Sequence, residues 1–560
     1  MKQVKGLHEV IMNEFCILLP SYLCQGKQGS TRKEMMKEWW SWSASVMVQH
    51  SLVILLFLLL AMKALHVLWL KPKKLERLFW RQGMRGPPRR LVIGNVGEMV
   101  AMVLAASSMP VRSSSYHNIL PRVLPFLHQW KKAYGSIFLM WFGPTPRVVV
   151  AEPELIREVL VTRVQLFDRY VAHPFVRQLE GEGLVNLRGA KWALHRKLIS
   201  PVFNCLCRRW GEGCRHGGEA VDRGRGSSGE VEVDVAEWYQ SITEDVITRV
   251  TFGRSYADGK AVFNLQARLM VLAAEAFNRV FVPGYRYLPT KKNRERWKLD
   301  VDIRQNLAML VSRRREIAGK DEAEKGASLS AKDLLGQMTA SCGPAAGINS
   351  SDVVEECKTF FFAGKQTTTN LLTWTTLLLA MHPEWQHIAR EELLHVCGSR
   401  DLPSPDDLHK LKTLGMVVNE TLRLYPPAVA ILRRAKTDVQ LGRYTVPRGT
   451  EILIPILAVH HDESLWGAEA HRFDPARFSQ GLSRAARHPN AFIPWGLGER
   501  TCVGRDLAIV EAKLALAAVL SRFEISLSPN YTHAPMVTML LYPKHGAPLI
   551  FKPITKIEEQ

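Results

Sequence analysis

The sequence predicts a mainly helical protein with a small β lobe, placed behind an N-terminal transmembrane helix. Three observations lead to this prediction: an uncharged apolar run from Ser51, a long helical pattern that ends at Met381, and short β-like stretches bounded by proline and glycine. The 560 residues are 47% hydrophobic and 23% charged, which is typical of a globular chain that buries a large core.

The first predicted element is the transmembrane helix. Residues 51–62 read SLVILLFLLLAM, and the run continues through Lys63 and His66 to Leu70. About 20 helical residues span the hydrocarbon core of a bilayer, and Lys63 is close enough to the end of the run to reach the polar surface. The alternative is a cleaved signal peptide, but 50 residues precede the run and no small-residue cleavage site follows it.

The residues that flank this helix predict its orientation and the domain boundaries. Six basic residues follow at once, and the positive-inside rule then places the bulk of the protein in the cytosol: Lys71, Lys73, Lys74, Arg77, Arg81 and Arg85. We divide the chain into an N-terminal extension that we expect to be dispensable (1–45), a transmembrane anchor (46–70), a basic and proline-rich hinge (71–88) and a globular domain (89–555). Met35, Met36 or Met47 would each give a conventional short N-terminus.

Charge and cysteine content narrow the choice of partners. The formal net charge is +21, but the basic residues are spread along the chain, and neither an RNA-binding aromatic signature nor a zinc-finger spacing is present. We therefore expect a membrane surface and an acidic electron donor as partners, and no nucleic acid. The nine cysteines are odd in number and unevenly spaced, which indicates a reducing, cytosol-facing compartment rather than a disulfide framework.

The longest helix of the globular domain is predicted to end just before Pro383. Ser351 or Asp352 is expected to cap its start, with Glu355 completing a capping box. About 30 residues at about 1.5 Å each give roughly 45 Å, enough to cross a domain. Short strands are predicted at residues 147–151, 444–446 and 451–455.

A glycine-rich loop near the C-terminus isolates one cysteine. Residues 492–504 read FIPWGLGERTCVG, with glycines at 496, 498 and 504 around Cys502. Glycine lets backbone approach a flat macrocycle, and an axial thiolate on a haem iron favours O–O cleavage. The alternative is a buried structural cysteine in an ordinary turn.

The long helix carries a small polar cluster, AGKQTT at residues 363–368. Gly364 is expected to leave room for a ligand, and Thr367 to hydrogen-bond its own backbone and open a local distortion. Such a groove would hold dioxygen and a water beside the iron. The alternative is ordinary helix packing.

Charged residues elsewhere predict a structural cluster. Glu420 and Arg423 share one helix face, and Arg477 in the sequence FDPARF can complete a buried Glu-Arg-Arg cluster behind Cys502. The alternative is a surface pair worth a few tenths of a kcal/mol.

A set of donors predicts a binding site for haem propionates. Trp192 and Arg196 are one helical turn apart, so their indole N–H and guanidinium point the same way, and Arg433 and Arg500 are further candidates. Each alone is equally explained as a packed or solvated residue.

These motifs, in this order, resemble the cytochrome P450 monooxygenases over residues 86 to 555. The resemblance implies the cytochrome P450 fold, with haem b (iron protoporphyrin IX) as cofactor and Cys502 as its iron ligand. It further implies that Thr367 activates oxygen, with Gly364 and Gln366 beside it. The remaining implied roles are a structural triad and a set of propionate ligands: Glu420, Arg423 and Arg477 for the triad, and Trp192, Arg196, Arg433 and Arg500 for the propionates.

Four stretches resemble a narrower group, the plant P450s that inactivate brassinosteroids by hydroxylating the terminal carbon (C-26) of the steroid side chain: residues 173–197, 282–294, 354–374 and 539–548. This resemblance implies a single-pass enzyme of the endoplasmic reticulum membrane with its catalytic domain in the cytosol. It also implies a lipophilic steroid substrate and electrons from NADPH through NADPH-cytochrome P450 reductase. We expect substrate to bind between the 260–290 region, the long helix and the loops at residues 428–431 and 536–540.

Three departures from the family pattern leave alternatives open. Gln366 replaces a common acid and cannot relay a proton by ionising, although the narrower group shares it, and Trp495 replaces the usual phenylalanine beside the thiolate. Residues 204–228 are rich in glycine and arginine where relatives carry an amphipathic helix, and their cysteine spacing fits no standard zinc site. The alternatives are a haem-thiolate isomerase or dehydratase that needs no reductase, and a catalytically impaired relative.

Overall fold

A computed structural model of the protein describes residues 32–108, 117–170, 172–206, 229–252, 256–277, 285–325, 334–340, 347–398, 400 and 402–554. The chain divides into two compact units, residues 1–71 and 72–560. Most of the predicted extension (1–45) and all but the first three residues of the atypical 204–228 segment lie outside the described residues.

The smaller unit contains the predicted membrane helix. An α-helix runs over Arg32–Leu65 and continues into a π-type turn over His66–Leu70. The stretch Trp39–Arg81 is helical, and by length and composition it can cross a membrane. Its apolar side chains are exposed, as Leu56 (58%) and Phe57 (70%) show, which fits a helix whose surroundings are lipid.

The larger unit is mainly helical, as predicted. In the described residues its α-helices run over Lys71–Arg81, Val96–Ser108, Leu120–Val123, Pro125–Tyr134, Pro153–Arg157, Pro174–Glu180, Gly189–Leu206, Val235–Phe252, Tyr256–Phe277, Lys291–Lys325, Leu334–Ala340, Ser350–Met381, Pro383–Cys397, Lys412–Leu424, Ile456–His460, Glu463–Trp466 and Arg505–Leu520. We call Gly189–Leu206 the tryptophan helix, Ser350–Met381 the long helix, and Arg505–Leu520 the post-cysteine helix.

The start of the long helix differs from the prediction. Neither Ser351 nor Asp352 is the cap: the Asn349 side chain accepts a hydrogen bond from the Asp352 amide (2.8 Å), and the Asp352 carboxylate accepts one from the Asn349 amide (3.1 Å). Asp352 therefore completes the capping box, and Glu355 is free for another contact. The helix has 32 residues and ends where Pro383 begins the next one.

Twelve strands are formed by the described residues: β1 Ile137–Phe142, β2 Thr145–Val150, β3 Phe167–Arg169, β4 Val231–Asp234, β5 Ile431–Ala435, β6 Val439–Leu441, β7 Tyr444–Val446, β8 Glu451–Ile454, β9 Phe523–Leu527, β10 Pro535–Val537, β11 Leu541–Pro543 and β12 Pro548–Pro553. The largest sheet has the order β1-β2-β8-β5-β3, and only its β2–β8 pair is parallel. Strands β2, β7 and β8 correspond to the three predicted stretches. The smaller sheets are β4-β12-β9, β6-β7 and β10-β11.

The main core surrounds the C-terminal half of the long helix. Leu371, Leu377 and Trp374 are at most 1% exposed, and the Trp374 ring stacks on Tyr425 with 4.3 Å between centroids. Apolar burial of this extent holds the long helix rigidly against the helices Lys412–Leu424 and Arg505–Leu520.

Four histidines lie in or against this core in the neutral form. Burial lowers the pKa of His117 and of His460 to about 3, lowers the pKa of His533 to about 4, and lowers the pKa of His461 well below its ordinary value. The His460 ring has a partner on each side: its Nδ1 donates to the Arg423 carbonyl (3.2 Å), and its Nε2 accepts from the Ile493 amide (3.0 Å). Protonation of His460 would remove that acceptor.

We therefore predict that the free energy of unfolding falls as the pH falls below about 6.5. The unfolded chain binds protons on histidine near pH 6.5 while these folded histidines do not, so each contributes a loss of up to about 1.4 kcal/mol per pH unit down to about pH 4. Urea unfolding at pH 7, 6 and 5 measures the slope. His460→Gln is expected to reduce it, whereas His387→Gln, on the surface, is the control; equal slopes for both variants would contradict the prediction.

Candidate active site

A cavity of about 380 Å³ lies between the long helix, the tryptophan helix, the post-cysteine helix, β5 and the loop at residues 494–504. It brings together most of the site residues predicted from the sequence: Trp192, Arg196, Gly364, Thr367, Arg433, Arg500 and Cys502. Gln366 and the three triad residues do not line it.

The loop that carries Cys502 has a fixed backbone. The Cys502 amide donates to the Trp495 carbonyl (2.9 Å), and Gly496 and Gly498 adopt φ values of +74° and +72°. A side chain on Gly498 would meet the backbone carbonyl of Leu160, so this glycine is required for packing and not for contact with a ligand. Of the glycines in this loop, Gly496 and Gly504 border the cavity.

The Cys502 thiol is accessible from the cavity and surrounded by dense protein. Burial raises its pKa, against the opposing effects of a hydrogen bond from the Gly504 amide and the positive charge of Arg196. The thiol is therefore protonated unless a cation faces the sulfur. A metal ion at the sulfur would deprotonate the thiol despite its burial.

Glu420 and Arg423 form a fully buried, bidentate ion pair. Arg423 Nε lies 2.7 Å from Glu420 Oε2 and Nη2 lies 2.6 Å from Oε1, and both side chains are 0% exposed. The remaining Arg423 N–H groups donate to the carbonyls of His460 (3.0 Å), Ala470 (2.6 Å) and Arg472 (3.1 Å). Every donor of this guanidinium thus has an acceptor, which is what makes its burial tolerable.

Arg477, the third predicted triad member, lies beside this pair. Its Nε is 3.6 Å from Glu420 Oε1, an ion-pair contact without a hydrogen bond, and its Nη1 donates to the Trp466 carbonyl (3.2 Å). Glu420 Oε1 also accepts from the Asp474 amide (3.0 Å). Glu420, Arg423 and Arg477 therefore bind several backbone segments between residues 460 and 474 together, and we call this cluster the junction.

His460 joins this junction to the cysteine loop. Its carbonyl accepts from Arg423, and its ring accepts from the amide of Ile493, the residue before Pro494 at the edge of the cavity. The Gly496 amide in turn donates to the Ile493 carbonyl (3.1 Å). Glu420 and Arg423 thus act on Cys502 through His460 and the loop backbone, without touching the sulfur.

The wall at β3 and β5 is strongly positive. The β3–β5 register sets Arg169 opposite Arg433, and like charges in that position repel. Arg169 pairs with Glu180 (3.0 Å), but Arg433 Nε has no hydrogen-bond partner in the described structure. Burial, together with the charges of Arg169 and Arg500, lowers the pKa of Arg433 to about 10.

Apart from Arg169, the arginines at the cavity have no acidic partner in the described residues. No carboxylate in the described part of the chain forms an ion pair with Arg196, Arg433 or Arg500, and the Arg500 guanidinium lies 4.2 Å from the centre of the Trp192 ring. Half-buried arginines in this state attract anions, and bidentate carboxylates suit them best. The residues present therefore fit a haem, with its propionates at the arginines and its iron at Cys502.

Of the three long-helix residues predicted for the site, Gly364 and Thr367 line the cavity and Gln366 does not. Gly364 lines the cavity, and a side chain on it would lie 2.6 Å from Ile247 Cδ1, so this glycine also accommodates the neighbouring helix. Gln366 Nε2 donates to Asn370 Oδ1 (3.2 Å) and points along its own helix, away from the cavity. Thr367 lines the cavity, and its hydroxyl donates to the Ala363 carbonyl (2.6 Å) as predicted from its local hydrogen bonding.

Sequence reasoning missed Arg169 and Glu511, both of which line the cavity. Glu511 is 5% exposed, its Oε1 has no hydrogen-bond partner in the described residues, and burial raises its pKa well above the ordinary value. The pairing of β3 with β5 would have revealed Arg169, whereas Glu511 carries no local signal. Ala428 and Ile431 line the cavity as expected, but residues 536–540 and the described residues of the 260–290 region do not.

Comparison with known proteins identifies the family. The family model described as Cytochrome P450 matches residues 121–551. Cytochrome P450 734A6 from Oryza sativa subsp. japonica is 56% identical over 536 residues, covering 92% of this chain and 96% of its own length. Cytochrome P450 734A1 from Arabidopsis thaliana is 54% identical (92% and 99%), and Cytochrome P450 72A397 from Kalopanax septemlobus is 38% identical (88% and 95%). The predicted family and fold are confirmed.

The buried ion pair predicts that loss of the Glu420 charge strongly lowers the free energy of unfolding. Glu420→Gln leaves Arg423 charged and buried, and we expect it to lower the free energy of unfolding by about 3 kcal/mol or more. The matched control is Glu469→Gln, whose ion pair with Arg472 is exposed, with an expected change of less than about 0.5 kcal/mol. Urea unfolding of both variants is the measurement, and equal effects would contradict the prediction.

Proposed function

Since this chain belongs to the cytochrome P450 family and is a monooxygenase, we propose that it inactivates brassinosteroids by hydroxylating the terminal side-chain carbon, C-26. The observation that carries the enzymatic part is the juxtaposition of Cys502, Thr367 and the unpaired arginines around one cavity. The substrate is supported by the resemblance of residues 173–197, 282–294, 354–374 and 539–548 to the brassinosteroid-inactivating group.

The proposed cofactor site is built from the cavity residues already described. Cys502 Sγ binds the haem iron, and the Gly504 amide donates to the sulfur and moderates its charge. Arg196, Arg433, Arg500 and Trp192 bind the propionates. The bound haem supplies reductive activation of dioxygen and insertion of one oxygen atom into a C–H bond.

Thr367 is the proposed proton-handling residue. Because its own hydrogen is donated to the Ala363 carbonyl, its oxygen lone pairs remain available to accept a hydrogen bond from a water in the cavity. Gln366 is directed at Asn370 and cannot ionise, so we assign protons to a route through Thr367 and water. Gly364 lets the long helix approach Ile247 and so sets the position of Thr367.

The rest of the cavity suits a lipophilic substrate. Its walls include apolar side chains from four different elements: Phe360, Leu371, Leu422, Ile431 and Ile456. Pockets of this kind bind by apolar burial and use a few polar groups for orientation. A steroid, which is rigid and largely apolar, fits that description.

The proposed cellular setting follows from the membrane helix. Residues 46–70 anchor the enzyme in the endoplasmic reticulum membrane, residues 71–88 form the hinge, and the domain at 89–555 lies on the cytosolic face. NADPH-cytochrome P450 reductase donates the electrons, as is typical of the family. Residues 1–45 are dispensable for this activity.

The iron ligand is tested by the reduced carbon monoxide difference spectrum. We predict the thiolate-type Soret band in the purified enzyme and its complete loss in Cys502→Ala, because only a thiolate produces that band. Cys357→Ala is the control, since this buried cysteine lies on the long helix away from the cavity lining. Absence of the band in the wild type would overturn the proposed activity and favour a catalytically impaired relative.

The substrate is tested by spectral titration and turnover. Brassinosteroids are expected to give a type I spectral shift. Turnover with reductase and NADPH is expected to add one oxygen atom to C-26, as mass spectrometry and NMR of the product would show. Reactions without NADPH are the control, and turnover there would favour an isomerase or dehydratase. A wild-type enzyme with a thiolate band but neither shift nor product would refute the brassinosteroid assignment.

A further inference from the structure

Three walls of the cavity meet at a carboxylate that does not itself face the cavity. The loop at residues 181–187, the tryptophan helix and the long helix contribute Leu184, Val185, Arg196 and Phe360 to the lining. Glu356, on the long helix, contacts both of the other walls and is 0% exposed.

Each oxygen of Glu356 binds a different wall. Oε1 lies 2.6 Å from Nδ1 of His195 in the tryptophan helix, and Oε2 accepts from the backbone amide of Leu184 (2.9 Å). His195 is 1% exposed, and its Nε2 has no hydrogen-bond partner in the described chain. Glu356 is thus the polar anchor of the His195 ring, and His195 adjoins Arg196, which lines the cavity.

Residues next to Glu356 also hold the loop at residues 181–187 against the long helix by hydrogen bonds. The Glu182 amide donates to Glu355 Oε2 (2.7 Å), and the Thr359 hydroxyl donates to the Glu180 carbonyl (2.8 Å). A side chain on Gly183 would lie 2.5 Å from Thr359 Oγ1 and 2.7 Å from Glu356 Oε2. The loop therefore sits as close to the carboxylate as a backbone can.

We propose that Glu356 is a positioning residue: it fixes the Leu184–Val185 wall and the Trp192–Arg196 wall relative to Thr367, and so determines which part of a bound lipophilic molecule is presented for hydroxylation. A buried carboxylate is costly to desolvate, and an apolar side chain would fill the same space without that cost. The carboxylate, unlike an apolar side chain, forms hydrogen bonds with two separate segments, the tryptophan helix and the loop at residues 181–187. We call the contacts of Glu356 with His195 and with the Leu184 amide the clamp. The identity of the substrate rests on the proposed function, whereas the clamp does not.

Hydrogen exchange of the full-length holoenzyme tests the clamp directly. In Glu356→Leu the Leu184 amide loses its acceptor, and exchange over residues 181–187 is expected to accelerate about tenfold or more. Glu356→Gln keeps an oxygen for that amide and a donor for His195 Nδ1, so it is expected to restore most of the protection. The matched control is Glu392→Leu, which removes a carboxylate from the amides of Thr413 (2.7 Å) and Leu414 (3.1 Å), neither of which lines the cavity.

Azole binding tests the consequence for the cavity. Imidazole reports on the iron alone, and clotrimazole, a bulky azole, also contacts the walls. Glu356→Leu is expected to weaken clotrimazole about tenfold and imidazole less than about twofold, while Glu392→Leu changes neither. Gly183→Ala, which pushes the loop away from the carboxylate, is expected to behave like Glu356→Leu and provides the test if that variant does not fold.

The outcomes separate this proposal from the proposed function. Unchanged exchange over residues 181–187 in Glu356→Leu, or unchanged clotrimazole affinity in both Glu356→Leu and Gly183→Ala, would overturn the clamp. A failure of Glu356→Gln to restore either property would also overturn it, because this variant keeps the size of the side chain and both hydrogen-bonding groups, so the effect could not then come from the two hydrogen bonds. Azoles bind whatever the natural substrate is, so a failed brassinosteroid titration leaves this result intact.

Discussion

The buried pair of Glu420 and Arg423 is the interaction on which the rest of the active site depends. Arg423 uses all of its donors on Glu420 and on three backbone carbonyls between residues 460 and 472, and His460 passes the constraint to Ile493 at the start of the cysteine loop. A buried guanidinium is strongly destabilising unless all of its N–H groups have acceptors. The backbone segments that supply these acceptors are therefore fixed in position. Cys502 is held in place as a consequence, at some distance from the charges themselves.

The cavity differs from this ion pair, because positive charges that line it have no acidic partners in the described chain. Arg196, Arg433 and Arg500 face it without acidic partners in the described chain, and Arg433 stands opposite Arg169 across two strands. This arrangement raises the energy of the protein alone and is relieved when an anionic ligand binds. Stability and cofactor binding are therefore coupled, whereas the Glu420–Arg423 junction is complete without any ligand.

The sequence predicts the parts of this structure that have a local signal. The fold class, the membrane helix and the strands at residues 444–446 follow from periodicity and turn residues, and the spacing of Glu420 and Arg423 or of Trp192 and Arg196 follows from the helical repeat. The features that could not be predicted from the sequence depend on contacts between residues far apart in the chain. The β3–β5 register places Arg169 at the cavity, Ile247 occupies the space beside Gly364, and Asn349 rather than Asp352 caps the long helix because its side chain reaches the third amide.

The junction at Arg423 also has a consequence for the order of folding. The carbonyls that satisfy it lie 37 to 49 residues further along the chain, the loop that it supports comes later still, and β12 near the C-terminus pairs with β4 at Val231–Asp234. During synthesis the helix Lys412–Leu424 therefore emerges with a charged side chain that has nothing to bury it. We therefore expect the pocket to close only when nearly the whole chain has been synthesised, which places binding of the cofactor late in maturation.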